Sequence, residues 1–203
     1  MAMPHPDFEN ARQYALHRLE TELPQELTYH ALPHTRDDVV PAVERLAAME
    51  GVKGEPLILL RTAALFHDLG FIEQYNSNEH IAVRMAHEAL PVFGYSPSQV
   101  EVISNIILTT RIPQTPHTPL EEIMADGDLD SLGREDFWEL SSVLRSEQAL
   151  FGKPVSDLEW DRIQLDFLQA HHYFTRSAIN LRQECKEQHI SELVRLLENG
   201  SPG

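Results

Sequence analysis

Apolar side chains recur along this chain every three or four residues and almost nowhere every second residue. Ala11, Tyr14, Ala15 and Leu19 share one face of a helix, and so do Val39, Val43, Leu46 and Ala47. A chain patterned this way buries one stripe per helix and leaves no half-buried face for a sheet, so an all-α fold is expected. Start signals agree with the periodicity. Ser96-Pro97-Ser98-Gln99, Thr118-Pro119-Leu120-Glu121 and Ser156-Asp157-Leu158-Glu159 each set a capping residue three positions before Glu or Gln, and the first two place Pro at the first helical position. Gly51 with Gly54, Gly70, and Pro91 with Gly94 mark stops.

About nine helices follow, over residues 7–22, 36–50, 56–69, 78–90, 97–110, 119–132, 134–150, 157–174 and 176–198. Pro41 falls inside the second span, where it bends the axis unless the helix starts later. Arg111 to His117, with Pro113 and Pro116, forms a loop suited to a pocket rim, and the tail Glu198 to Gly203 is expected to fray. A chain of 203 residues suffices for one well-packed domain over 1–203. Trp138, Trp160, Phe167 and Phe174 suit the packing of the C-terminal helices.

Composition narrows the function. No apolar stretch approaches the roughly 20 residues needed to span a bilayer, so no membrane role is expected. The opening Met1-Ala2-Met3-Pro4-His5-Pro6 carries no basic segment followed by an apolar run, which makes the cytoplasm the expected location. The single cysteine, Cys185, excludes an internal disulfide framework and a multi-thiolate zinc site. Any metal must therefore rest on His and carboxylates. A net charge of −16 repels a phosphate backbone, so general nucleic-acid binding is not expected, whereas a small phosphate ester can bind where a cation reverses the sign inside one pocket. Composition sets no oligomeric state.

The chain holds 11 histidines, and their order carries the chemistry. His67-Asp68 closes the apolar run Leu57 to Phe66, just before Gly70. Upstream stands Tyr29-His30-Ala31-Leu32-Pro33-His34, and downstream Ile123-Met124-Ala125-Asp126-Gly127-Asp128. Imidazoles mixed with carboxylates suit a divalent cation, for which Mn, Mg, Fe, Co, Ni and Zn all qualify. With open coordination positions such a cation polarises a phosphoryl oxygen and activates water.

An ordered His, then His-Asp, then Asp in an all-helical chain resembles the HD superfamily of metal-dependent phosphohydrolases. The likeness covers about residues 28–133, with 134–198 as a C-terminal helical extension, and further residues such as Leu144-Arg145-Ser146-Glu147 resemble a bacterial group of stand-alone or signalling-associated HD proteins. The resemblance implies a single helical HD bundle in which His34, His67 and Asp68 are the first three metal ligands. The last is Asp128 or Asp126. Residues two apart diverge by about 200° on a helix, so one of the two faces the metal. The family's small residue before the aspartate, with an apolar pair further upstream, favours Asp128, while Ala125 keeps Asp126 open.

His30, four residues before His34, is similar to the first His in the Tyr-His-Asn-x-x-His signature of cyclic-nucleotide phosphodiesterases, with Ala31 in place of the asparagine. That likeness makes His30 a candidate general acid, and Asp68 joins it as a catalytic residue. His80, His87 and His117 are candidates for a second metal, and Arg111 and Arg145 for the substrate phosphate. The expected activity is hydrolysis of a phosphate ester, with a nucleotide as the expected small-molecule partner. Two alternatives stand beside it: a non-catalytic nucleotide-binding or regulatory module, and a di-iron oxygenase that would need the extra histidines.

Overall fold

The computed structural model describes residues 6–199. The segment before Pro6 and the last four residues of the tail lie outside the described residues. Among those described there are nine α-helices and no strand. Helix α1, Phe8–Glu22, is capped by Asp7, whose carboxylate accepts the Asn10 N–H at 3.2 Å. A cap of this kind contributes about 1 kcal/mol. α2 runs Val40–Met49, α3 Glu55–Phe66, α4 Asn78–Ala89, α5 Pro97–Leu108, α6 Pro119–Asp128, α7 Phe137–Leu150, α8 Asp157–Ala170 and α9 Arg176–Asn199.

The helix starts lie close to the sequence expectation because local chemistry sets them. Ser96 and Gln99 form a reciprocal capping box, Thr118 accepts from the Glu121 N–H, and Ser156 from the Glu159 N–H. At Glu121 the box is left open, because its carboxylate bonds the His117 N–H instead. Gly94, with φ of 79°, closes the short 3-10 turn Leu90–Phe93 in the left-handed conformation that favours glycine.

Helix ends depart further from expectation. The span expected over 36–50 begins earlier, as a wide π-type turn His34–Val39 in which the Val40 N–H reaches the Thr35 carbonyl. Pro41 then sits in the first turn of α2, where its missing N–H costs little. α3 stops at Phe66 rather than 69, and a 3-10 turn Leu69–Ile72 follows. α8 ends at Ala170 rather than 174. The backbone leaves the helix there because the Phe174 and Thr175 amides are taken by the Asp126 carboxylate, at 2.8 and 2.7 Å.

Two apolar clusters hold these helices. The larger joins α1 to α6 around Leu19, Leu46, Leu60, Phe66, Met85 and Ile107, all fully buried. Each such side chain contributes roughly 1.5–3 kcal/mol. The smaller unites Leu132, Phe137, Leu168 and Leu193 from the 3-10 turn Asp130–Gly133 and from α7, α8 and α9. A cavity opens between α7 and α8 on one side and the α3, α4 and α6 ends on the other. No helix of the described residues is long and apolar enough to cross a membrane.

Candidate metal centre and cavity

Four side chains from three places in the chain meet at one point. His67 follows the last turn of α3, and its Nδ1 bonds the Ala64 carbonyl at 2.7 Å, which leaves Nε2 as the free nitrogen. Asp68 comes next, where the chain turns. His34 opens the π-type turn ahead of α2, a placement that lets one residue project out of helical register. Asp128 is the last residue of α6.

Two glycines permit this convergence by close packing. A Cβ on Gly70 would strike the Asn78 carbonyl, so the start of α4 lies directly against the turn after Asp68. Gly70 thus acts by contact rather than as a left-handed stop. A Cβ on Gly127 would strike Val43, so α6 approaches α2 closely enough to bring Asp128 to His34.

The His67 Nε2 lies 3.2 Å from Asp68 Oδ2 and 3.4 Å from Asp128 Oδ1, and the His34 Nε2 lies 3.7 and 3.6 Å from the same two oxygens. Ligand atoms held at about 2.1 Å around one cation sit roughly 3–3.5 Å from one another. The spacing therefore matches a shared cation. His67 is 1% and Asp68 5% exposed, yet His67 Nε2 and Asp68 Oδ2 make no hydrogen bond. Buried polar atoms without partners are rare, and a cation satisfies both. The buried His34, His67 and Asp68 can hold a metal ion.

Charge within the cluster is set by the same neighbours. Burial works against a charged His67, but Asp68 and Asp128 outweigh it and raise that imidazole well above its ordinary range. Burial likewise opposes the Asp68 and Asp128 carboxylates, and the imidazoles still hold both below the usual carboxylate range. Deprotonated carboxylates are the form a metal requires.

His30 lines the cavity beside this cluster and stacks on Phe71 at 4.3 Å between ring centroids. Its Nδ1 meets Glu147 Oε1 at 2.5 Å. Glu147, on α7, is fully buried, and its Oε2 also accepts the Tyr29 and His30 backbone N–H groups at 2.7 and 3.0 Å. Burial disfavours the His30 cation, but the Glu147 hydrogen bond and the Asp68 charge raise its pKa overall. Burial also pushes against ionised Glu147, and His30 brings its pKa down.

The other candidates fall elsewhere. Asp126 is fully buried with both oxygens committed to the Phe174 and Thr175 amides, so it holds the segment leading into α9 and does not face the histidines. His80, His87 and His117 are exposed and do not line the cavity, and His87 pairs with Ser104 at 3.1 Å. Arg111 is exposed outside the cavity. The Arg145 guanidinium bonds Asp157 at 2.7 Å and the Val155 carbonyl at 2.8 Å, a partner twelve residues away that no intrahelical spacing shows.

The cavity measures about 300 Å³ and runs from the His and Asp cluster to a wall on α8. Trp160, Ile163, Gln164 and Phe167 line that wall, so the buried Trp160 also borders the cavity, as does Phe167, which packs against the smaller cluster as expected. Their spacing marks them as one helical face, but the same spacing marks any core-facing stripe. Glu79 also lines the cavity with a buried carboxylate oxygen that lacks a partner. Its signal in the sequence is only its place beside His80.

Comparison with known proteins gives one solved neighbour of the whole fold. The crystal structure of Bacillus subtilis YpgQ in complex with ADP aligns with a TM-score of 0.65 at 18% identity, covering 97% of this chain and 98% of that one. At that identity the likeness establishes the fold. No protein-family model and no curated protein matches the sequence.

Proposed function

We propose that the chain is a metal-dependent phosphohydrolase acting on a nucleotide. The carrying observation is the convergence of His34, His67, Asp68 and Asp128, with two buried ligand atoms that make no hydrogen bond, at one end of a cavity. In this reading those four residues hold a divalent cation, which when bound supplies Lewis acidity toward a phosphoryl oxygen and toward water. The ADP held by the Bacillus subtilis neighbour supports a nucleotide as the ligand class.

The chain's own groups supply the remaining work. The water oxygen forms a bond to phosphorus, the ester P–O bond breaks, and the departing oxygen takes a proton. His30 is suited to give that proton from Nε2, because Glu147 engages Nδ1 and, against burial, raises the imidazole's pKa. Asp68 lies beside both His67 and His34, where it serves the cation and the incoming water. A di-iron site would need His80, His87 or His117 beside the first cluster, and none lines the cavity.

Elemental analysis of the purified protein and of His67→Ala tests the reading, followed by a nucleotide panel with Mn, Mg, Co and Ni. We expect about one divalent ion per wild-type chain, its loss in the variant, and release of phosphate from one nucleotide class. A protein that stays metal-free and inert while still binding nucleotide would instead be a binding module.

A further inference from the structure

We infer that this cavity selects esters bearing a single phosphoryl group on a planar, acceptor-carrying moiety, chemically a nucleoside monophosphate, over di- and triphosphates. The inference rests on the phosphohydrolase reading above and narrows its substrate.

Charge supplies the first argument. Asp68, Asp128 and Glu79 line the cavity, and among the described residues no Lys or Arg does. Asp68 and Asp128 together offset one divalent cation. A single phosphoryl group placed at the cluster has that cation to meet it. Each further phosphate would extend along the α8 wall, which carries no Lys or Arg, in a cavity that already holds a Glu79 carboxylate oxygen with no hydrogen-bond partner. Proteins that retain polyphosphates do so with Lys, Arg or rows of backbone N–H groups. The arginine nearest in sequence to the lining residue Leu144, Arg145, is committed to Asp157 and the Val155 carbonyl.

The wall of α8 supplies the second argument. Trp160, Ile163, Gln164 and Phe167 stand at positions i, i+3, i+4 and i+7, so one helix face presents two aromatic rings, an aliphatic side chain and one carboxamide. That amide is oriented by a relay. The Trp160 Nε1–H donates to Ser141 Oγ at 3.0 Å, and the Ser141 hydroxyl donates to Gln164 Oε1 at 3.2 Å. The Gln164 oxygen is thereby occupied, and its amide nitrogen, unused by the relay, is a donor. A flat ring with a carbonyl or ring-nitrogen acceptor meets both the aromatic surfaces and that donor, as a nucleobase does.

The test uses the full-length, Mn-loaded protein with adenosine and thymidine mono-, di- and triphosphates and with glycerol phosphate. Two readouts are taken: kcat/KM for phosphate release, and quenching of Trp160 fluorescence, with Trp160→Phe as the control for Trp138. We expect each monophosphate to exceed its diphosphate at least about tenfold in both readouts, and glycerol phosphate to trail the nucleoside monophosphates. Ile163, at 43% exposure, accepts a charge without disturbing the core. Ile163→Lys should shift the diphosphate-to-monophosphate ratio about tenfold toward the diphosphate. Diphosphates used as well as monophosphates, or a ratio unmoved by Ile163→Lys, would overturn the inference and leave the phosphohydrolase reading standing. Failure of every ester to bind or react would overturn both.

Discussion

Asp126→Ala and Asp128→Ala, two positions apart, should fail in opposite ways. Asp126 accepts the Phe174 and Thr175 amides at 2.8 and 2.7 Å, and it is fully buried. Hydrogen bonds to a charged acceptor contribute about 1.5–3 kcal/mol each, so losing both sets an upper range of roughly 3–6 kcal/mol. Part is returned, because burial disfavours this carboxylate strongly enough to raise its pKa despite the two bonds. The expected loss is therefore about 3 kcal/mol, or roughly 6–12 °C in Tm for a chain of this size. Asp128 faces His34 and His67 instead, at 3.6 and 3.4 Å. Its alanine variant should lose metal and activity. Urea unfolding curves paired with metal analysis of the folded fraction separate the two. An Asp126→Ala protein that unfolds like the wild type but loses its metal as fully as Asp128→Ala would refute the assignment.

Other perturbations read other parts of the molecule. Glu147→Gln removes the charge that raises the His30 pKa, and kcat should fall about tenfold to a hundredfold with metal content unchanged, which steady-state kinetics and elemental analysis check together. Gly70→Ala drives a methyl group into the Asn78 carbonyl and should cost about 1–3 kcal/mol in denaturant unfolding. Stability should also respond to His171, whose pKa is pushed down to about 3 by burial first and by the Lys186 charge second. Its neutral form is the one that folds. Stability is thus full above the unfolded pKa of about 6.5 and declines as pH falls toward the folded value, by at most about 1.4 kcal/mol per pH unit. His171→Phe should flatten that decline between pH 7 and 5, and an unchanged slope would exclude His171 as its source.

The helical architecture was legible because its signals are local. Apolar spacing and the caps at Ser96, Thr118 and Ser156 act within one or two turns, so the sequence carries them directly. His67-Asp68 was legible for the same reason, since both residues sit where one apolar helix gives way to a turn. The preference for Asp128 over Asp126 followed from a family resemblance, and the structure places Asp128 at the histidines.

Glu147 illustrates what was hidden. Its motif stood in the sequence, but its partners, Tyr29 and His30, are more than a hundred residues upstream, and only packing α7 against that segment makes it the group that holds His30. Asp126 is the converse, a carboxylate beside a metal-like motif whose partners at Phe174 and Thr175 come from another helix start. Trp160 and Phe167 share a stripe that periodicity reads only as inward-facing, and whether inward means core or cavity depends on what packs opposite. The sequence by itself therefore determined the helices, their starts and the residue types able to bind a metal, because those follow from interactions a few residues apart. Tertiary structure alone decided which carboxylate faces the imidazoles, which one holds the segment leading into a distant helix, and that no Lys or Arg of the described residues lines the cavity, because each depends on contacts between segments far apart in the chain.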